Sequence, residues 1–273
     1  MFVRDIINAN QSDSLISWQY NWGDLPPAYL ATSNIKYIPM QWGSVGIDNF
    51  AEDVKMQGAD TILAFNEPDY VNEANMDPVG AAHLWIQYIE PLKSLGIRLG
   101  LSELHHDFLP LHWYGTGVEG FYGYIWDVHN NFPRYPIWIT EYGDTSTNDT
   151  EVLNFLNQTV TYLDTLDWIE RYAWFGYFRP RPDAHYNLLR EDGGLNALGE
   201  LYIGAKTVHT QNVTEPPSTL RTVNGADNPT QAPASTWAPY PSSSHTLGGW
   251  KLQLTTAAMT LLSCCLGVLS VTL

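Results

Sequence analysis

The sequence predicts an α/β fold of the (β/α)-barrel type, followed by an extended stalk and an apolar tail. Short apolar runs alternate with amphipathic segments over roughly residues 10–209. Alternation without a hairpin signature is the pattern of repeated βα units. Several of the runs are apolar on both faces, as parallel strands covered by helices must be. From 210 to 249 the composition changes, with 12 of 40 residues Ser or Thr and six Pro. A segment of that kind cannot bury a core and reads as a disordered, O-glycosylated stalk.

Strands are expected at 15–20, 35–40, 61–65, 98–101, 108–112, 136–140 and 172–177. The clearest helix has Asp77 as its N-cap and Pro78 in its first turn, and should run to residue 94. Others are expected at 48–57, 118–130, 150–163 and 197–208. Seven strands are one fewer than a closed eight-stranded barrel needs. Between Leu101 and Phe108 stands only "SELHHD", too short for a parallel crossover, which takes about a dozen residues or more. Either one of those two strands is not a strand, or a helix is absent.

The formal net charge of −16 argues against nucleic acid and anionic membrane surfaces as partners. Charged residues are sparse at 15%, while the chain carries 11 Trp and 16 Tyr, a composition suited to stacking on a neutral ligand such as a sugar. Both cysteines, Cys264 and Cys265, lie in the apolar tail, so the body has no disulfide to report its compartment. Sequons begin at Asn10, Asn148, Asn157 and Asn212. Residues 252–273 contain no charged side chain and follow Ser242, Ser243, Ser244 and a short polar spacer. That order matches a glycolipid (GPI) attachment signal at 250–273, with a membrane-spanning tail as the rival. A cell-surface or cell-wall location, or secretion, is therefore expected. The first residues, "MFVRDIINANQSDSL", have no apolar signal-peptide core, so an incomplete N-terminus is expected.

Five strand ends carry polar or aromatic residues: "WQYNW", "PMQWG", "FNEPD", "HWYG" and "WITEYG". In a (β/α) barrel such ends converge on one mouth. Glu67 of "FNEPD" and Glu141 of "WITEYG" would then face each other from different strands. Two facing carboxylates are what glycoside hydrolysis requires, one protonated and one ionised. Asn66 could donate to a sugar hydroxyl beside the reacting carbon. Each motif also has a bland reading: Pro68 and Asp69 make good turn chemistry, and "TEYG" could be a strand end with a Gly turn. Their coincidence favours the catalytic one.

Trp18, Tyr20, Trp22, Trp42, Trp113, Tyr114, Tyr142 and Trp174 are candidate sugar platforms or contacts, with Trp42 and Trp113 preferred because each is expected one or two residues past its strand. Trp138, inside its strand, should be core. His112 could bind substrate or a carboxylate, or serve as a structural His. His105, His106 and Asp107 lack metal-ligand spacing, and neither metal nor cofactor is expected.

These segments resemble the fungal branch of glycoside hydrolase family 128, the alkali-sensitive-linkage type of glycosyl hydrolase catalytic core proteins. "SWQYNWG", "YIPMQWG", "ILAFNEPDYVNEANMDP", "DFLPLHWYGT", "PIWITEYG" and "RYAWFGYF" follow the family's order across nearly all of residues 15–180. The resemblance implies a (β/α)8 barrel acting as a retaining endo-β-1,3-glucanase, or a non-catalytic β-1,3-glucan-binding wall protein. It implies Glu67 as acid/base and Glu141 as nucleophile. Their strands would be the fourth and seventh, so the uncounted strand is the first. Family members carry that strand upstream and a longer segment before "DFLPLHWYG"; one strand and one helix are thus expected to be missing. A monomer bound to β-1,3-glucan polysaccharide or oligosaccharide, and to the membrane through its C-terminal anchor, is expected.

Overall fold

The computed structural model describes residues 5–9, 14–100, 107–204 and 269–270. The stalk, the junction at 101–106 and the tail apart from 269–270 lie outside them. Every expected strand is present: β1 (Trp18–Gln19), β2 (Lys36–Tyr37) with β3 (Met40–Gln41), β4 (Thr61–Ala64), β5 (Arg98–Gly100), β6 (Leu109–Gly115), β7 (Ile137–Asp144) and β8 (Ile169–Trp174). The run at 35–40 is split at Ile38 and Pro39 because proline has no N–H to give to a ladder.

All pairings among β1 to β8 are parallel and join neighbours in chain order. They form three sheets, β2-β1-β9, β3-β4-β5 and β6-β7-β8, where β9 (Leu269–Ser270) runs antiparallel to β1. A parallel bridge between Gly100 and Phe108 links β5 to β6, so both segments flanking the short junction belong to the parallel array. Among the described residues the strands form these three sheets and do not close into a complete barrel, where an incomplete eightfold one was expected.

The helices are α1 (Ala28–Ala31), α2 (Ile47–Gln57), α3 (Pro78–Leu84), α4 (Val118–Asn131), α5 (Asp149–Leu163) and α6 (Ala197–Ile203). Asp77 caps α3 as expected, accepting from Gly80 N at 2.8 Å. The helix does not continue regularly to residue 94. It widens into a π-turn at Trp85–Ile89 and tightens into a 3₁₀ turn at Glu90–Leu95. Pro91 explains this: it lacks the N–H that would bond Gln87, and its ring crowds that carbonyl. The last helix stops at Ile203 instead of 208, ended by Gly204 in the left-handed conformation.

The core divides along the alternation of the strands. Leu63 joins Trp18, Tyr20, Phe108 and Trp138 in the larger cluster, whereas Ile62 and Ala64 pack with Ile47, Phe50, Trp85 and Leu99 under α2 and α3. Trp138 is fully buried, as expected of a core residue, and stacks on Phe108 with ring centres 3.9 Å apart. Beside it, Arg98 of β5 grips Glu170 of β8 through two hydrogen bonds of 2.6 and 2.7 Å, and Trp138 Nε1 donates to the same carboxylate at 2.8 Å. These contacts hold β5, β7 and β8 together at their N-terminal ends, away from the strand ends that carry Glu67 and Glu141. Among the described residues no helix is long and apolar enough to cross a membrane.

Candidate active site

Parallel strands deliver their C-terminal ends to one side, and Glu67 and Glu141 meet there. Glu67 follows β4 in the left-handed region, with φ 45°, a conformation non-glycine residues adopt only where surrounding contacts impose it. The ladder reaches that point because Asn66 N donates to Trp42 O at 2.8 Å. Glu141 lies within β7, opposite His112 of β6, where the register shifts between Leu111 and His112. The strand runs on to Asp144, so Glu141 sits inside it, not past its end as the sequence suggested.

His112 stands between the two carboxylates. Its Nδ1 is 2.6 Å from Glu67 Oε1, and its Nε2 is 3.5 Å from Glu141 Oε1. One oxygen of each Glu and one His112 nitrogen all lie within 4.8 Å of one another. A divalent ion could span such a trio, but the 2.6 Å His–Glu contact is closer than two ligands of one ion usually approach, and is better described as a shared proton.

Glu141 is fully buried and accepts three hydrogen bonds. They come from Tyr114 OH to Oε2 at 2.6 Å, Trp22 Nε1 to Oε1 at 3.0 Å and Tyr20 OH to Oε1 at 3.3 Å, the single Tyr20 proton being shared with Thr140 O at 2.9 Å. Burial pushes its carboxyl from 4.5 up to about 7, helped by the charge of Glu67; His112, Tyr114 and Trp22 pull the other way. Burial first, then the Glu141 charge, pushes the Tyr20 and Tyr114 phenols well above their ordinary value, so both remain donors. Burial lowers the pKa of His112 and favours a neutral ring. In Tyr114→Phe, which loses the shortest of these donors, the Glu141 midpoint should rise by roughly one to two units. Carboxyl NMR shifts followed against pH check it; an unmoved midpoint would contradict the role given to Tyr114.

The remaining candidates separate by strand face. Tyr20, His112 and Tyr114 point to the carboxylates. Trp113, between the last two, points outward and stacks on Phe155 at 5.4 Å and against Phe121. It does not face the carboxylates: β6 extends to Gly115, and alternation sends Trp113 towards the helix layer. Tyr142, next to Glu141, is likewise buried against Phe121 and Trp174. Trp174 is itself fully buried, its Nε1 donating to Tyr186 O at 2.8 Å. Trp18 is fully buried against Tyr20 and Trp138. These three belong to the core and offer no face to a ligand. Trp42 is half-buried beside Asn66 and keeps its place as a candidate contact. Trp22 is half-buried and donates directly to Glu141. Glu73 was missed altogether; it accepts from Asn66 Nδ2 at 3.1 Å.

The chain matches the family described as glycosyl hydrolase catalytic core over residues 3–106 and 101–202. It belongs to that family. A search of curated proteins finds no match. Among solved structures, a GH128 subgroup III curdlan-specific exo-β-1,3-glucanase from Blastomyces gilchristii, in complex with glucose, is 28% identical with a TM-score of 0.61. That match covers 73% of this chain and 94% of the other. A GH128 subgroup I endo-β-1,3-glucanase from Amycolatopsis mediterranei, in complex with laminaritriose, is also 28% identical, at TM-score 0.62, covering 72% and 94%. A subgroup VI exo-β-1,3-glucanase from Aureobasidium namibiae reaches TM-score 0.65 at 24% identity, covering 76% and 94%, and speaks for the fold alone. The GH128 resemblance drawn from the motifs therefore holds, and this glycosyl hydrolase catalytic core protein is a glycoside hydrolase.

Proposed function

We propose that the protein is a retaining endo-β-1,3-glucanase that works by double displacement, attached to the cell surface through its C-terminal segment. The observation that carries the mechanism is the approach of Glu67 and Glu141 oxygens to within 4.8 Å. Carboxyl groups about 5 Å apart suit direct attack on the anomeric carbon, whereas inverting pairs leave room for a water at about 6.5 Å or more.

Hydrogen bonding supports the division of labour. Glu141 accepts from Tyr20, Trp22 and Tyr114, which favours the ionised form a nucleophile needs against the burial that raises its carboxyl to about 7. Glu67 faces the His112 ring, a partner that can give or take a proton. In this scheme Glu67 protonates the glycosidic oxygen as Glu141 bonds to the anomeric carbon. A water deprotonated by Glu67 then displaces Glu141 and frees the sugar. Because the two carboxyls are in contact through His112, their protons come off as a coupled set.

The test is incubation with laminarin, following new reducing ends and the anomer first released by proton NMR. The β-anomer should appear first. The α-anomer first would exclude retention, and no reducing ends at all would favour the non-catalytic glucan-binding reading.

A further inference from the structure

We infer that Glu73 is a positioning residue of this site: it holds the Asn66 amide in the orientation that meets a sugar hydroxyl beside the reacting carbon. The inference rests on the glucanase reading above and adds a third carboxylate to it.

The loop after β4 folds back on itself. Tyr70 N donates to Glu67 O and Glu73 N to Tyr70 O, both at 3.0 Å; Ala74 N reaches Asn66 O at 3.2 Å and Met76 N reaches Pro68 O at 2.6 Å. These bonds return the chain to the end of β4 and place Glu73 against Asn66, whose Nδ2 donates to Glu73 Oε2 at 3.1 Å. A carboxylate only accepts, so the nitrogen of the amide must face it and the carbonyl must point the other way. Asn66 is 1% exposed, and its Oδ1 is buried without a hydrogen-bond donor among the described residues. A buried carbonyl left without a donor is unfavourable. A sugar hydroxyl entering the mouth can supply that donor, and the second Nδ2 hydrogen remains to donate in return. Asn66 immediately precedes Glu67, so the amide and the acid address adjacent atoms of one ligand.

Glu73 also acts through its charge. His112 is faced by Glu67 from the end of β4, Glu141 from β7 and Glu73 from the loop. The charges of Glu141 and Glu73 both favour the protonated ring against the effect of burial. Glu73→Gln keeps an acceptor oxygen for Asn66 but removes the charge; Glu73→Ala removes both.

The experiment compares Glu73→Ala, Glu73→Gln, Asn66→Ala and the Glu73→Ala/Asn66→Ala pair on laminarin, with His112 titrated by NMR in Glu73→Gln. Glu73→Ala should lose about 10- to 100-fold in kcat with KM little changed, as misplacement of a positioning group does. Glu73→Gln should recover most of that loss yet titrate His112 at lower pH. The double variant should be no slower than Asn66→Ala alone. Wild-type kcat in Glu73→Ala, an additive loss in the pair, or an unmoved His112 midpoint in Glu73→Gln each overturns the inference alone. Absence of turnover by the wild-type protein overturns the glucanase reading, and this inference with it.

Discussion

Glu141→Gln should abolish laminarin hydrolysis, by on the order of 10⁴-fold or more, while leaving laminari-oligosaccharide binding intact. The same substitution should make the protein more stable at pH 8. The loss follows from chemistry, since an amide cannot attack the anomeric carbon. The gain follows from burial. The carboxyl of Glu141 titrates near 7 in the folded protein against an ordinary 4.5. A group whose folded pKa is raised favours folding when protonated. Its contribution is complete below about 4.5 and is lost as pH rises through 7. At pH 8 wild type therefore carries the full cost of a buried charge, at most about 3 kcal/mol from the size of that shift. Gln carries none of it. Its carbonyl can still accept from Trp22 and Tyr20, and the Tyr114 hydroxyl can turn to accept from the amide. The Tm difference between variant and wild type should thus be positive at pH 8 and shrink towards pH 4. A difference that did not change with pH, or residual turnover near wild type, would remove Glu141 from its role. Activity and stability oppose one another here because the site keeps an ionisable group where packing alone would not.

Glu67→Ala should show a dependence on leaving group that Glu141→Gln does not. Without a proton donor, cleavage of a natural glucan linkage should fall by about 10²- to 10⁴-fold. A 2,4-dinitrophenyl glycoside of laminaribiose needs no protonation to depart, so its first turnover should stay close to wild type. Release of the glycosyl-enzyme would then be slow, since in the proposed mechanism Glu67 also activates the water. A burst followed by a slow steady state is expected, with azide speeding the second step and giving a β-glycosyl azide. Equal losses on both substrates would assign Glu67 a role other than acid/base.

Much of this site was legible in the sequence because strand ends are marked by local chemistry. In "TILAFNEPDY" the apolar run sets the strand and Pro68 ends it, so Glu67 had to lie at the mouth. Asp77 and Pro78 marked the start of α3 for equally local reasons. Trp138 declared itself core by standing inside its strand. His112 could be placed near the carboxylates, although its position between both depended on the pairing of β6 with β7.

Other residues could not be assigned from order alone. Trp113 and Tyr114 are adjacent and chemically alike, yet one packs on Phe155 and the other donates to Glu141. Which faces inward depends on where β6 ends and on its register shift, and both are set by the neighbouring strand. Glu73 reaches Asn66 only because the loop folds back through its own backbone bonds. The ionisation of Glu141 is likewise a property of the fold, because it depends on how completely other segments exclude water from that carboxylate. Sequence by itself determined the parallel βα order and the two carboxylates, since both follow from residues close together in the chain. Tertiary structure decided which aromatics touch those carboxylates and which merely fill the core, since side-chain direction and burial are set by partners distant in sequence.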